Sequence, residues 1–199
     1  MKINKDKLAR IVSTIFVPPA FTIIVFTIFA LLLENESQKQ ILVMLVAFIF
    51  GFVAPIALFI VFRKSGKLAD QDALVKEERT IPFLIATVFY AIGLALLIIF
   101  KVNIISIAFW FCYISNTLLT IIINRYEKIS AHTMGASGPV AALTFVFGPA
   151  TLFLLFLVMI VGWARIRLKC HSFIQVVLGF FIAFISTYFQ IFLIVKLFS

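Results

Sequence analysis

The chain contains only two histidines, and each stands at the beginning of a long apolar stretch next to basic residues. His132 follows a basic loop at 125–128, and His171 follows Arg165 after five intervening residues. One imidazole can attack phosphorus while the other protonates the leaving oxygen, and nearby cations can hold the oxygens on which negative charge develops. This combination of residue types favours phosphoryl transfer, provided that the two loops meet in the fold.

The spacing of His171 and Gln175 supports the same chemistry. Residues four apart at the start of a helix share one face, so the Gln175 amide oxygen can accept a hydrogen bond from one ring nitrogen of His171. The other ring nitrogen then stays free to attack phosphorus, as an oriented nucleophile requires. The sequence therefore predicts His171, His132 and Gln175 as catalytic residues.

The composition shows which solvent surrounds these residues. Of the 199 residues, 64% are hydrophobic, 13% are charged and 25 are Phe. Soluble globular proteins average about 45–50% apolar and about 25% charged residues. The composition thus excludes a soluble domain, a disordered chain and a nucleic-acid-binding module, and it indicates an integral membrane protein. The net charge of +9 comes from basic residues between apolar runs, where they mark membrane ends or bind an anion.

Charged residues divide the chain into apolar runs that predict its helices. The runs are 11–33, 40–62, 80–100, 102–124, 129–164 and 170–195. A membrane span needs about 20 apolar residues. The fifth run is too long for one span, and Gly148-Pro149 predicts a turn between two short helices at about 131–147 and 149–164. The predicted fold is an all-α polytopic membrane helical bundle of six to seven transmembrane helices, a single domain over 1–199, with a kink at Pro18-Pro19 in the first.

The turn at Gly148-Pro149 also decides which loops share one end of the bundle. We name the segments 63–79, 125–132 and 165–171 loop A, loop B and loop C. If the turn forms, all three loops lie at the same end as the N-terminal tail. All 17 basic residues except Lys39, Lys101 and Lys196 then lie at that end, and the positive-inside rule predicts the cytoplasmic side for these loops. The expected location is a bacterial inner (cytoplasmic) membrane.

Two further sets of residues bear on how the helices sit and pack. Trp110, Trp163 and Tyr126 are interpreted as anchors at the membrane–water interface, where rings with one polar end are common. Gly135 and Gly138 stand among small residues, which predicts close approach of neighbouring helices.

Loop A contains the acidic residues Asp70 and Asp72, a pair that could hold Mg²⁺. Five basic residues of the same loop stand close to them in sequence. Ion pairing with these cations is therefore the simpler interpretation of both carboxylates.

The segment 164–175 carries the most specific pattern in the chain. It places Ala164-Arg165 five residues before His171, with Gln175 after three more residues. This spacing resembles the third motif of the type 2 phosphatidic acid phosphatase family, membrane lipid phosphate phosphatases related to vanadium haloperoxidases. The family motif is Ser-Arg, five residues, His, three residues, Asp, so Gln175 stands where the family has Asp.

Two other segments resemble the remaining motifs of this family in the same order. The segment 129–132 reads Ile-Ser-Ala-His and is similar to the second motif, Pro-Ser-Gly-His. The first motif is Lys, six residues, Arg-Pro, of which the chain keeps Arg79 and a displaced Pro82. Asp72 stands at the Lys position, and Lys76 is the cation that could replace it. The resemblance covers roughly residues 70–180.

The resemblance implies a metal-independent phosphatase without cofactors and assigns roles to matched positions. His171 would form a phosphohistidine, and His132 would act as general acid and then as base for water. Phosphate would be bound by Arg165, Arg79, Lys76 and Ser130. The implied substrate is a membrane lipid such as phosphatidic acid, phosphatidylglycerol phosphate, a polyprenyl diphosphate or a lipid A phosphate.

Three points remain open from the sequence. The family's catalytic face is usually extracytoplasmic, whereas the charge distribution favours the cytoplasmic side. The same scaffold could pass the phosphoryl group to a lipid acceptor, as a phosphotransferase does. With Gln175 in place of Asp, the chain could also be a weakly active or inactive lipid-binding or transport protein.

Overall fold

The computed structural model describes residues 4–198, and all regular secondary structure in this range is helical. Lys2, in the predicted basic tail, lies outside the described residues. Within 4–198 there are eight helices: α1 Lys5–Ile15, α2 Pro18–Leu33, α3 Ser37–Lys64, α4 Glu77–Ile99, α5 Ile104–Asn124, α6 Ala131–Phe147, α7 Pro149–Arg167 and α8 Phe173–Phe198. A π-helical segment, Ala47–Val53, lies inside α3, and α4 and α7 each begin with a 3₁₀ turn.

Length and composition identify the helices that can cross a membrane. Helices α3, α4, α5, α7 and α8 are long and apolar enough, and α1 with α2 provides a sixth span if this bent pair counts as one. Large apolar side chains cover the outer surface; Phe153, for example, is 74% exposed. Such a surface on long apolar helices is suited to contact with lipid. The predicted all-α polytopic bundle is confirmed.

Proline breaks the first apolar run, as predicted. Val17 is extended, and α2 begins at Pro18, where a missing N–H does no harm to the helix. The axes of α1 and α2 differ by 49°. This bend turns α1 onto α7, so the N-terminal helix packs across the end of the bundle that carries loops A, B and C.

The predicted turn within 129–164 is also present. Gly148 has a φ of +83°, a conformation that favours glycine, and its N–H donates to the Thr144 carbonyl at the end of α6. Pro149 then starts the first turn of α7. The resulting hairpin brings the start of α6 and the end of α7 to the same end of the bundle.

Helix α6 lies inside the bundle, against α2, α7 and α8. Its two glycines permit this position, because a Cβ at Gly135 would lie 2.5 Å from Pro18 and one at Gly138 would lie 3.2 Å from Thr187. The predicted close approach of helices at Gly135 and Gly138 is therefore confirmed.

Trp110 is a core residue, and the prediction that it anchors the interface was wrong. Its side chain is fully buried, and the indole N–H donates to the Tyr90 carbonyl at 2.7 Å. The ring packs against Phe26 and Tyr113. An acceptor supplied by a neighbouring helix lets the indole stay inside the bundle, because its only polar group is satisfied there.

The contact between α4 and α5 depends on a glycine. We expect Gly93→Ala to destabilise the protein by about 1–3 kcal/mol, since a Cβ would lie 2.4 Å from the Trp110 ring and both helices would have to shift. Thermal denaturation in detergent measures the loss. Ala91→Leu on the exposed side of the same helix is the matched control, and an equal effect of both substitutions would contradict the packing explanation.

Candidate functional site

A cavity of about 610 Å³ lies between the helices and reaches the end of the bundle that carries loops A, B and C. Its wall at that end contains all the charged and imidazole side chains that line it: Arg10, Asp72, Arg79, His132, Arg165 and His171. Much of the remaining wall is apolar, with Pro18, Phe59 and Phe83 among its residues. The two histidines and both predicted phosphate-binding arginines, Arg79 and Arg165, therefore share one cavity.

Arg165 lies in the last turn of α7 and has an exposed side-chain fraction of only 1%. Its Nη1 donates to Ser13 Oγ and to Asp72 Oδ1, both at 2.7 Å. In the part of the chain that the structure describes, Nε has no hydrogen-bond partner. A buried guanidinium with an unused donor is costly unless another acceptor arrives, so this side chain is suited to bind an oxygen-rich anion.

Arg79 lies at the start of α4 and is also buried. Its Nε donates to the Ala73 carbonyl at 2.5 Å, and its Nη1 donates to the Ile129 carbonyl at 3.4 Å. These contacts tie loop A to loop B. Both acceptors are neutral, so no carboxylate compensates the positive charge of Arg79 through these contacts.

His171 is oriented as its spacing from Gln175 predicts. Its Nδ1 lies 3.2 Å from Gln175 Oε1. The Gln175 amide nitrogen donates to Glu127 Oε1 at 2.8 Å. Because an ionised Glu127 can only accept, the amide oxygen must face His171, and Nδ1 must carry the proton. The other ring nitrogen, Nε2, then keeps its lone pair for a reacting group.

The surroundings of His171 keep its ring uncharged. Burial, together with the positive charges of Arg79, Lys128 and Arg165, lowers the pKa of His171 to about 3. The imidazole is therefore neutral at pH 7. A neutral ring with one oriented nitrogen is the form that acts as a nucleophile.

His132 occupies another part of the cavity wall, in the first turn of α6. Its ring contacts the backbone of Ser13 and interacts electrostatically with Arg165, Asp72 and Arg79. The hairpin of α6 and α7 places this ring in the same cavity as His171, as the parity of the helices predicted.

Two predicted phosphate-binding residues do not line the cavity. Lys76 Nζ donates to the carbonyls of Arg125 and Tyr126, at 3.4 and 3.2 Å, just beyond the C-terminal end of α5. Ser130 is fully buried and caps α6, since its Oγ accepts from the N–H of Thr133 at 3.3 Å. Both side chains therefore stabilise loop B, and the structure does not bring them to the two imidazoles.

Sequence reasoning missed Arg10, Ser13 and Glu127 as members of this constellation. The first two come from α1; the bend at Pro18 was predicted, but no local sequence signal shows that α1 then packs against α7. Glu127 is 48 residues from Gln175 in the sequence. The one signal that could have pointed to it is an acidic side chain in loop B.

Asp72 is ion-paired as predicted, although its partners are not those of loop A. It accepts from Arg165 and also from Arg10 Nη1, at 3.0 and 2.9 Å, so α1 and α7 supply the cations. Although burial alone raises the pKa of this carboxyl, the hydrogen bonds from the two arginines bring it below its ordinary value. Asp70 instead accepts from the backbone N–H groups of Asp72 and Leu74.

Within 4–198 there is no group of three or more His, Cys, Asp or Glu that could hold a metal ion. Comparisons of the chain with models of protein families, with curated proteins and with solved structures found no match. The functional interpretation therefore depends on the chemistry of the cavity.

Proposed function

We propose that the protein is an integral membrane phosphatase that hydrolyses a lipid phosphate or diphosphate through a phosphohistidine at His171. The main support is a neutral, buried imidazole whose Nδ1 is held by Gln175, in the same cavity as a second imidazole and two buried guanidinium groups. The three motifs that resemble the type 2 phosphatidic acid phosphatase family assign the same residues to the same roles.

In the first step, His171 Nε2 attacks phosphorus and the bond from phosphorus to the lipid oxygen breaks. His132 takes the proton that a phosphate monoanion carries and passes it to the leaving oxygen, which departs as an alcohol, or as a lipid monophosphate when the substrate is a diphosphate. Arg79 and Arg165 stabilise the charge that spreads over the three other oxygens.

In the second step, the now neutral His132 takes a proton from water, and the water oxygen attacks phosphorus. The phosphorus–nitrogen bond breaks, inorganic phosphate leaves and the His171 ring returns to its neutral form. The Gln175 oxygen holds Nδ1–H in both steps. Since an amide stabilises a positively charged ring less than a carboxylate does, we expect slower turnover than a His–Asp pair would give.

The cavity fits an amphiphilic substrate. Its charged end matches a phosphate headgroup, and its apolar walls between the helices match a hydrocarbon chain. Phosphatidic acid, phosphatidylglycerol phosphate, polyprenyl diphosphate and lipid A phosphates share this chemistry. The excess of basic residues favours the cytoplasmic side of a bacterial inner membrane for these loops, and the family resemblance favours the opposite side.

Purified protein in lipid nanodiscs tests the proposal directly. We expect it to release inorganic phosphate from a lipid phosphate in the presence of a chelator. When the reaction with radiolabelled substrate is stopped rapidly, we also expect a phosphorylated protein whose label is lost in acid. An added lipid alcohol distinguishes hydrolysis from transfer, because a phosphotransferase would phosphorylate it. If the protein binds the lipid phosphate but yields neither inorganic phosphate nor a phosphorylated lipid alcohol, both the phosphatase and the phosphotransferase are contradicted.

A non-catalytic protein that binds lipid phosphates is the second candidate, and the Gln175 amide favours it. If the site has lost its activity through this residue, restoring a carboxylate should recover turnover. Asp at 175 alone would face Glu127 across a short distance, so the informative variant is Gln175→Asp combined with Glu127→Gln. Phosphate release by this double variant together with none by wild type, although wild type binds the lipid phosphate, would favour the second candidate.

Glu127 positions Gln175, and its removal should lower the rate moderately. We expect Glu127→Ala to reduce kcat about 2- to 10-fold with little change in KM, because one exposed hydrogen bond that orients the amide is lost. Glu127→Gln keeps an acceptor and should retain most of the activity. The matched control is Glu36→Ala, whose carboxylate pairs with Lys39 outside the cavity wall. A rise in KM at constant kcat would contradict a positioning role.

A further inference from the structure

The carboxylate of Asp72 occupies the position at Arg165 where a phosphate oxygen would be expected. Its Oδ1 accepts from Arg165 Nη1 at 2.7 Å, and Arg10 Nη1 holds both carboxylate oxygens. All three side chains line the cavity. The chain thus supplies its own anion to the buried guanidinium.

This internal contact satisfies Arg165 only in part. A well-matched carboxylate or phosphate takes two donors of a guanidinium side by side. Asp72 takes only Nη1, and Nε has no hydrogen-bond partner among residues 4–198. Both oxygens of Asp72 are also engaged by Arg10. A phosphate group in the same place has a further oxygen for Nη2 beside Nη1, so it can take two parallel donors of Arg165.

The position of Asp72 allows its carboxylate to leave. The residue lies in the irregular part of loop A between α3 and α4, next to Ala73, whose φ of +46° is uncommon for a residue with a Cβ. Its second partner, Arg10, has a side chain that is 37% exposed. The Arg10–Asp72 pair can therefore move towards water together, without leaving either charge buried and unpaired.

We propose that Asp72 is an internal anionic ligand of Arg165, which the phosphate headgroup of the substrate displaces on binding. The identity of the headgroup rests on the proposed function. In the absence of substrate, Asp72 keeps a buried cation compensated, and for the same reason it lowers the affinity of the site for phosphate. Asp72 thus sets the affinity of the site for phosphate. On binding, Arg165 exchanges the Asp72 carboxylate for the phosphate headgroup.

Binding of two small probes distinguishes displacement from the alternatives. The probes are methylphosphonate, a dianion at mildly alkaline pH, and its monomethyl ester, a monoanion; neither requires turnover. If Asp72 is displaced, the cost of moving it is the same for both probes. Titration calorimetry at constant ionic strength should then show that Asp72→Asn binds both more tightly by the same factor, about tenfold.

Two results would overturn the proposal. A clearly larger gain for the dianion means that the carboxylate stays in place and repels the ligand, and an unchanged or weaker affinity for both probes means that Asp72 only anchors Arg165. Asp70→Asn is the matched control, because it removes the same charge two residues away without touching Arg165. We expect a much smaller gain in this variant.

If the Asp72→Asn variant does not fold, hydrogen exchange on the wild-type protein tests the same proposal. Saturating methylphosphonate should accelerate exchange of the backbone amides at 72–75, because loop A is released from Arg165. Unchanged or slower exchange there would overturn displacement. A protein that shows displacement but never releases phosphate from lipids would contradict only the phosphatase, so the two failures are distinguishable.

Discussion

His171→Ala is expected to reduce phosphate release from a lipid phosphate by more than about 10³-fold, because it removes the group that forms the covalent intermediate. The side chain is buried, and its one hydrogen bond to another residue of the range 4–198 is to Gln175, so its loss affects few other contacts. Initial rates in nanodiscs give the effect on turnover, and rapid quenching with radiolabelled substrate gives the amount of phosphorylated protein, which should fall to zero.

His132→Gln provides the comparison for this result. It should slow turnover of a lipid phosphate by about 10²- to 10⁴-fold, as expected when a general acid and base is lost. With a substrate whose leaving group needs no proton, the phosphohistidine should still form, because His171 remains. A phosphorylated protein in His171→Ala, or none in His132→Gln with the activated substrate, would refute the assignment of the two roles.

Arg165→Met should damage both stability and binding. It leaves Asp72 with Arg10 as its remaining cation and removes the partner of Ser13 Oγ. Because Asp72 keeps Arg10 and the pair can move towards water, we expect a loss of about 1–3 kcal/mol, less than when a buried charge is left without a partner. Thermal denaturation in detergent measures this loss, and calorimetry with methylphosphonate should show no binding.

A double variant separates the two effects of this substitution. Arg165→Met with Asp72→Leu removes both charges, so most of the lost stability should return while methylphosphonate binding stays absent. Arg167→Met is the control on the same helix; its exposed pair with Asp6 should contribute less than about 1 kcal/mol. Recovery of binding in the double variant would show that Arg165 is not a phosphate ligand.

The parts of the fold that sequence could predict are those with a local cause. Proline and glycine act within one turn of their own positions, so the break at Pro18 and the turn at Gly148 follow from residue type alone. The turn in particular fixed the parity of the helices, and with it the prediction that His132 and His171 lie at the same end of the bundle.

The parts that sequence could not predict depend on long-range partners. Ser13 and Arg165 are 152 residues apart, and Asp72 is 93 residues from the same guanidinium. Trp110 was misplaced because the carbonyl that satisfies its indole, that of Tyr90, belongs to another helix. Residue type predicts that such groups need partners, but only the packing of helices determines which partners they receive.

The bend after α1 has a consequence for biosynthesis. Helix α1 leaves the ribosome before α2 to α7, yet the guanidinium that holds it to α7 emerges 152 residues after Ser13. Helices α2 to α6 can thus insert into the membrane before α1 has its hydrogen bond to α7. The anion-binding centre is assembled only after α7 has been made, and a truncated product ending before α7 would carry four of the six charged and imidazole side chains of the cavity, without Arg165 and His171.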